Sequence, residues 1–405
     1  MLKKNINQEE VENQKQRIFN SMEIIDIEVP QKQIKISKTA VIKENIVWYG
    51  IDNEYPTTMF NLINSSQTAK ACVDAVSKFI NTEFVDEANV DVVVGMSRTM
   101  KKFTLSVLVE QIARSLALYN GAYILVARNK EGQTIQVRTL NFADVRLSEF
   151  DSFGTSVKGI VYDWAQTIQG KKNNQKNYRE YPIFVSSKEV NRKLCEQSAN
   201  EISFQIYYIF LNDEYFYPEN SFETVAYDMA AEKEIQVNRY NEITQGTPAK
   251  LIIRTDIPSD EVEKKKLFDR IQKFAGSTGD RVLLIQSSFD ENGVPISNGY
   301  SLDTINDTRD LSKFSEAEKD CANNIRKVWN IPAILVDFEQ ATGISVSGEQ
   351  LKSAVDYFDQ IIEPVRRVVS DSLAEIFEST TIDFNSKNFE LQNKTIRTNG
   401  NDINI

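Results

Sequence analysis

Two long amphipathic helices, separated by a short loop, constrain what this chain can fold into more than any other feature. They lie within residues 310–379. In the first, apolar residues recur at steps of three and four, which places them on one stripe of a helix about 20 residues long. Pro332 disfavours helical geometry at the residue before it, so we expect this helix to end near Asn330. The stripe consists of Leu311, Phe314, Cys321, Ile325 and Val328.

The second helix is predicted to begin beside Ser347, which has the spacing of a capping box with Gln350. Its apolar period continues for about eight turns, and Pro364 indicates a kink. Between the two helices the chain must reverse in a short, exposed loop that contains Gly343. The apolar positions of the second helix are Leu351, Ala354, Val355, Phe358, Ile361, Ile362, Val365, Val368, Val369, Leu373 and Ile376.

The composition is that of a globular protein of ordinary hydrophobicity. At 405 residues, with 41% hydrophobic and 26% charged residues, the chain is long enough for two or three packed units. It contains no run of about 20 apolar residues, and its start has no apolar signal core, so neither a membrane span nor secretion is indicated. We therefore expect the chain to fold in a cytoplasm.

The residue types exclude several kinds of catalytic site. The chain has no histidine, which removes Ser/His/Asp and Cys/His catalysis and histidine-bound zinc. Cys72, Cys195 and Cys321 are scattered singly, so we expect buried, reduced thiols. The net charge of −11 argues against a broad basic face that holds nucleic acid, although it is compatible with a protein that lets DNA slide past.

Two short motifs resemble ligand sites but lack the context that such sites need. Residues 275–280, AGSTGD, follow a predicted helix and contain no lysine, unlike a phosphate-binding loop. Glu263 and Lys265 have the spacing of a nuclease motif, but the pattern puts them on a helix instead of a strand. We therefore predict no catalytic residues, no cofactor and no metal.

Changes in composition and pattern divide the chain into eight segments. The first, residues 1–40, is charged and rich in Gln, Asn and Lys, and either an arm that orders against a neighbour or a disordered tail fits it. The others are an α+β block (41–215), a long helix (216–246), a compact insert of short strands and one helix (247–306), a helix (307–331), the loop region (332–347), the long helix (348–380) and a polar tail (381–405).

Several stretches, taken together, resemble the portal proteins of tailed bacteriophages, the connectors between head and tail. The likeness covers roughly residues 47–378. It includes YNGAYILV and QGTPAKLIIRTD, and it is strongest in the two helices described above. The matching stretches there are NIRKVWNIPAILV and SGEQLKSAVDYFDQIIEPVRRVVSDSLAEIF, preceded in the chain by NEYPTTMFNLINSSQTAKACVDAVSKFI.

The resemblance implies an α+β fold of the portal type. The α+β block would be the wing, residues 216–246 and 307–331 the two stem helices, the insert a small α/β clip, and residues 332–347 a tunnel loop ahead of the long kinked wing or crown helix. Family members form closed rings, usually of twelve subunits, at one capsid vertex. Double-stranded DNA is packaged and ejected through the centre of the ring.

The resemblance also implies partners and a place of action. It predicts a non-enzymatic structural protein of the virion, assembled in the host cytoplasm, that binds the large terminase, a head–tail adaptor and the major capsid or scaffold protein, without contact to a membrane. The residues expected to face DNA in the channel form the loop Asp337, Phe338, Glu339, Gln340, Ala341, Thr342, Gly343, Ile344, Ser345, Val346 and Ser347.

Two other functions stay compatible with the sequence. A head or baseplate scaffold protein that never contacts DNA would have the same helices, and closed rings with a DNA-wide hole distinguish a portal from it. A carboxylate-metal nuclease would depend on a divalent metal for DNA cleavage. The sequence favours the portal because most of the chain carries the resemblance.

Overall fold

The structure of the chain is a computed structural model. It describes residues 41–43, 46–96, 101–148, 158–162, 178–198, 201–211, 216–245, 250–255, 300–305, 311–336 and 348–392, together with Val262 and Lys266. The α-helices are α1 Tyr55–Ser65, α2 Gln67–Ile80, α3 Leu105–Tyr119, α4 Lys188–Glu196, α5 Ala226–Gln245, α6 Leu311–Lys327 and α7 Gly348–Phe377.

The strands pair antiparallel throughout the described residues. One sheet has the order β1-β2-β8-β9-β10 and another the order β11-β6-β7, while β12 pairs with β13, β3 with β14 and β4 with β5. The strands are β1 Val41–Lys43, β2 Ile46–Trp48, β3 Glu83–Phe84, β4 Val93–Met96, β5 Lys102–Thr104, β6 Gly121–Arg128, β7 Thr134–Leu140, β8 Val145–Ser148, β9 Lys158–Tyr162, β10 Tyr178–Pro182, β11 Ser203–Phe210, β12 Lys250–Thr255, β13 Tyr300–Ile305 and β14 Leu391–Gln392.

The chain divides into two compact units. The larger unit contains residues 34–236 and 310–405, so the predicted α+β block packs together with α6 and α7. The other contains residues 237–309, in which β12 and β13 form an antiparallel pair. Their register runs from Lys250 opposite Ile305 to Thr255 opposite Tyr300. The predicted helix and second strand of the insert lie outside the described residues, apart from Val262 and Lys266.

The centre of the larger unit is built on β6 and α3. All eight residues of β6 are buried, because the strand lies between β11 and β7 and its apolar run AYILVA meets side chains on both faces. Helix α3 buries its apolar side chains and packs against β6 and α2. Asn120, with a left-handed φ of 58°, ends the helix and turns the chain directly into the strand.

Helix α2 lies at the centre of the helical layer. Its buried residues repeat with the helical period, and it packs against α1, α3, α6 and α7. Six apolar residues between Ala69 and Ile80 recur in the sequence at helical spacing, which predicts one apolar stripe, and each of them except Phe79 is buried in the structure. The buried residues of α2 are Ala69, Cys72, Val73, Val76 and Ile80.

Two features of the larger unit differ from the sequence pattern. Helix α4 interrupts what reads as a continuous run of strands, and Ser187 accepts a hydrogen bond from the Val190 N–H at its start. The first part of the polar tail also folds back, because the rings of Phe384 and Phe389 pack on Phe377 at the end of α7. The nine residues of α4 are mostly polar, and Phe384 and Phe389 stand singly in a polar context, so neither feature gave a clear apolar period.

No helix in the described part of the chain combines the length and the apolar character needed to cross a membrane.

Gly121 provides a test of the packing around the first residue of β6. A Cβ atom at this position would lie 2.8 Å from the Phe142 ring and 2.9 Å from Pro218 Cγ, so we expect Gly121→Ala to lower the free energy of unfolding by about 1–3 kcal/mol. At Gly348, the first residue of α7, nothing lies within 4 Å of an added Cβ. Gly348→Ala is therefore the matched control, and its urea unfolding midpoint should be unchanged or slightly higher. Equal midpoints for the two variants would contradict this description of the core.

Candidate functional site

The predicted DNA-channel loop, residues 337–347, lies outside the described residues. The structure describes the two ends from which it extends, Val336 and Gly348. None of the predicted loop residues can therefore be assigned a contact, and their role in the channel stays a prediction. The described site consists of the two helices that carry the loop and of the groups that hold them.

The upstream end of the loop is fixed by a sharp change of direction after α6. The helix ends at Lys327, and Asn330 has a left-handed φ of 51°. The Ile331 N–H then donates to the Arg326 carbonyl over 3.1 Å, which closes the end of the helix. Because Pro332 cannot continue the helix, a short 3-10 turn, Ala333–Leu335, follows. The end near Asn330 that the sequence predicted is confirmed.

The downstream end of the loop joins the exposed half of α7. No side chain from Gly348 to Tyr357 is fully buried, whereas Phe358 and Ile362 are completely enclosed. The ring of Phe358 packs edge-on against Phe79 of α2, with 4.8 Å between the ring centroids. Helix α7 is therefore attached to α2 from Phe358 onward, and its first turns extend from that attachment toward the loop.

A buried ion pair reinforces the attachment of α7 to α2. The Arg366 guanidinium lies 2.8 Å from the Asp359 carboxylate, and only 4% of the Arg366 side chain is exposed. The same guanidinium donates to the Phe79 carbonyl over 2.9 Å, at the end of α2. Since a buried guanidinium needs both a counter-charge and acceptors, this arrangement fixes the orientation of α7 relative to α2.

The opposite end of α2 is held by a carboxylate from α5. Glu232 is almost completely buried and accepts hydrogen bonds from Thr68, from the N–H over 3.2 Å and from Oγ1 over 2.7 Å. It also accepts a hydrogen bond from the hydroxyl of Ser66, the residue that caps α2. A negative charge is favourable at this position, because the first N–H groups of a helix are unpaired and carry partial positive charge.

Arg326 and Cys72 lie in the same environment between α2, α5 and α6. Burial raises the pKa of the Cys72 thiol to about 12, although the Arg326 guanidinium lowers it and the Glu232 carboxylate raises it further. The thiol is thus protonated at neutral pH and behaves as a packed apolar group. Asn324 of α6 donates to Asp228 of α5 over 3.2 Å and adds a second polar link between these helices.

The contacts described above position the helices relative to one another. No group of three or more His, Cys, Asp or Glu side chains that could hold a metal occurs in the described residues. Glu232, which joins α5 to the start of α2, and Arg366, which joins α7 to its end, were not predicted from the sequence. The sequence does show charged residues at positions of the apolar stripes of α5 and α7, which indicates buried charges. It does not show what they contact, because their partners are far away in the chain.

Comparison with known proteins shows a likeness to solved structures. No protein-family profile and no curated protein matches the chain. In a search of solved structures, a chain from the virion of a native gene transfer agent particle matches with a TM-score of 0.51 and 11% identity, over 84% of this chain and 85% of that one.

The chain shares its fold with this virion chain. Two further structures match at lower TM-scores: a chain from the neck of a native gene transfer agent particle computed with C12 symmetry (0.47, 11% identity, 84% of this chain and 83% of that one) and an HK97 family phage portal protein from Corynebacterium diphtheriae (0.45, 10% identity, 78% and 89%). The α+β fold that the sequence predicted is confirmed for the fold as a whole, since the structure combines helices and sheets and matches the virion chain over most of its length. Its portal type and its division into wing, stem helices and clip stay predictions.

Truncation of Glu232 tests the contact between α5 and the start of α2. Glu232→Ala leaves the buried donors of Ser66 and Thr68 without their acceptor, so the free energy of unfolding should fall by about 1–3 kcal/mol. Glu234→Ala removes an exposed carboxylate from the same helix and should leave the urea midpoint within experimental error. A loss of equal size in both variants would mean that α5 itself, and not the contact with α2, is weakened.

Proposed function

We propose that this chain is the subunit of a phage-type portal. In this proposal, copies of the chain form a closed ring, of about twelve subunits in the family that the sequence resembles, at one vertex of a capsid. The ring conducts double-stranded DNA during packaging and ejection. It also provides the docking platform for the large terminase, a head–tail adaptor and the capsid or scaffold protein.

The single observation that supports this proposal most is the shared fold. The likeness to the virion chain extends over 84% of this chain, so it covers the order of helices and strands and not merely one common motif. The sequence resemblance is independent of it, because it depends on the residues around the two helices. Both point to a structural component of a DNA-containing particle.

The arrangement of α6 and α7 suits a loop that emerges at a fixed place. Both helices pack on α2, so the chain between them connects two helices that the same helix supports. Phe358 and Arg366 hold one side and the turn at Asn330 holds the other. A loop with two anchored ends and Gly343 in its middle can move against a passing duplex while its supports stay in place.

The chemistry of the loop suits movement of DNA better than retention of DNA. No lysine or arginine occurs from Val336 to Gln350, whereas Asp337, Glu339 and Glu349 are acidic. Basic side chains would gain affinity from each counterion that they displace from the duplex and would hold it in place. An acidic loop repels the phosphates and lets the duplex slide. The energy for translocation then has to come from a separate motor, for which the insert, residues 247–306, is the proposed docking element.

The ring itself is the first test of the proposal. Purified protein at micromolar concentration should show closed rings with a central hole of DNA width in negative-stain images, because portal subunits contact each other head to tail until the ring closes. Light scattering across a range of salt concentrations measures the same assembly in solution. Monomers under all these conditions would reject the portal function, and rings whose hole is too narrow for a duplex would favour a scaffold.

The channel loop can be tested by a change of charge. Glu339→Lys/Gln340→Lys should slow packaging, or retain DNA after ejection, and the effect should weaken as salt is raised, because added lysines bind phosphates electrostatically. The matched control is Glu196→Lys/Gln197→Lys, the same two residue types exposed at the end of α4. Parental packaging and retention at low salt in the loop variant, with rings intact, would show that the loop does not face the DNA.

A further inference from the structure

Two cavities lie beside β7, the edge strand of the sheet β11-β6-β7. The first has a volume of about 520 Å³ and lies between α1, α3, the pair β4-β5 and β7. The second, about 380 Å³, lies between β6, β7, β10 and β11. Arg138 of β7 lines both cavities, and we call the surface formed by their lining residues the arginine groove.

The arginine groove exposes large apolar side chains to solvent. Phe60 is 40% exposed, Met96 53% and Phe204 43%. Further apolar groups of α3 and β7, such as Leu118 and Leu140, form its floor. Exposed apolar side chains that lie singly on a surface need no explanation, but a cavity lined by several of them is typical of a contact with another polypeptide.

The charge of the groove is opposite to that of the chain. Arg114, Arg138 and Arg179 line it, and no Asp or Glu does, although the chain carries a net charge of −11. None of the three guanidinium groups makes an ion pair or a side-chain hydrogen bond with a residue that the structure describes. Arg138 is half-buried, where a cation without a counter-charge is unfavourable. The groove therefore fits a partner that brings carboxylates together with apolar side chains.

A segment with this chemistry occurs in the chain itself. Residues 22–29, MEIIDIEV, hold three carboxylates, and apolar side chains fill every position between and around them. No lysine or arginine occurs from residue 18 to residue 31. The three carboxylates, which lie within six positions, carry the charge opposite to that of the three arginines. The isoleucines are apolar, like the floor of the groove. The carboxylates belong to Glu23, Asp26 and Glu28.

We propose that residues 22–29 of one copy bind the arginine groove of the neighbouring copy. The inference rests on the proposed ring. Eleven residues, 30–40, separate the segment from β1, and an extended chain of that length lets the segment bind at up to about 36 Å from β1. A segment that leaves one subunit and binds a different surface on the next makes a heterologous contact, the kind of contact from which closed rings are built.

A photo-crosslinking experiment on the full chain tests this contact. The photoreactive amino acid p-benzoylphenylalanine replaces Ile25, and the purified protein is irradiated and separated under denaturing conditions. The expected product has twice the mass of one chain, and mass spectrometry should place the crosslink on residues that line the groove. The same amino acid in place of Val190, an exposed apolar residue of α4 outside both cavities, is the control and should give little of this product.

Charge reversal shows whether the arginines hold the segment. Arg138→Glu should reduce the crosslinked dimer at least fivefold, and Asp26→Arg in the same chain should restore part of it. Arg179→Glu, at an exposed position, is a second variant in case Arg138→Glu misfolds. Arg192→Glu, on α4 outside both cavities, is the matched control and should leave the dimer unchanged.

The outcomes separate this inference from the proposed function. Rings in the parent protein together with crosslinks that stay within one chain, that map outside the groove, that are equal at position 190, or that survive the charge reversals would overturn the inference and leave the portal function intact. Absence of rings in the parent protein would overturn both. Dimer-mass crosslinks in the groove that depend on Arg138 or Arg179 would establish the contact.

Discussion

The packing of helix α2 is the constraint on which the rest of the larger unit depends. Helices α1, α3, α6 and α7 all contact it, so residues separated by almost 300 positions in the chain meet on one helix. Its apolar stripe is buried on several sides at once, and burial of apolar surface is the main favourable contribution to folding. A change in α2 is therefore transmitted to both helices that carry the proposed channel loop.

Apolar packing alone does not fix the orientation of a helix, and here polar groups supply that specificity at both ends of α2. Glu232 pairs with the start of the helix and Arg366 with its end. Each charged group lies where the helix leaves backbone groups unpaired, N–H groups at the start and carbonyl groups at the end. Because a buried charge is tolerated only with these partners, alternative registers of α5 and α7 on α2 are strongly disfavoured.

Rigid support and a moving part are separated in the proposed function. The supports are the buried parts of α6 and α7, whereas no side chain of α7 from Gly348 to Tyr357 is fully buried. The distribution of charge follows the same division. The lining of the arginine groove includes basic but no acidic side chains, and the loop sequence has acidic but no basic ones. In the proposed assembly, contacts between subunits and contacts with DNA would thus use different chemistry on different surfaces.

The sequence by itself determined the regular elements with a strong local signal. The stripes of α2, α3, α6 and α7 and the buried strand β6 follow from apolar periodicity, and Asn330 with Pro332 determined where α6 ends. The local sequence pattern carries this information because the formation of a helix or strand depends on residues that lie close to each other in the chain. The expectation of a portal-type fold came from the resemblance of stretches such as NIRKVWNIPAILV to portal proteins and not from the periodicity.

Only the tertiary structure decided which distant residues meet. Three contacts illustrate this, because the sequence contains no signal that pairs their members. They join Glu232 with Ser66, Arg366 with Phe79, and Phe377 with Phe389. The same holds for the arginine groove, because Arg114, Arg138 and Arg179 belong to three elements that are scattered along the chain and become neighbours only when the sheets and α3 pack. Periodicity reports which face of an element is apolar. The partner of that face is set by the packing of the whole unit.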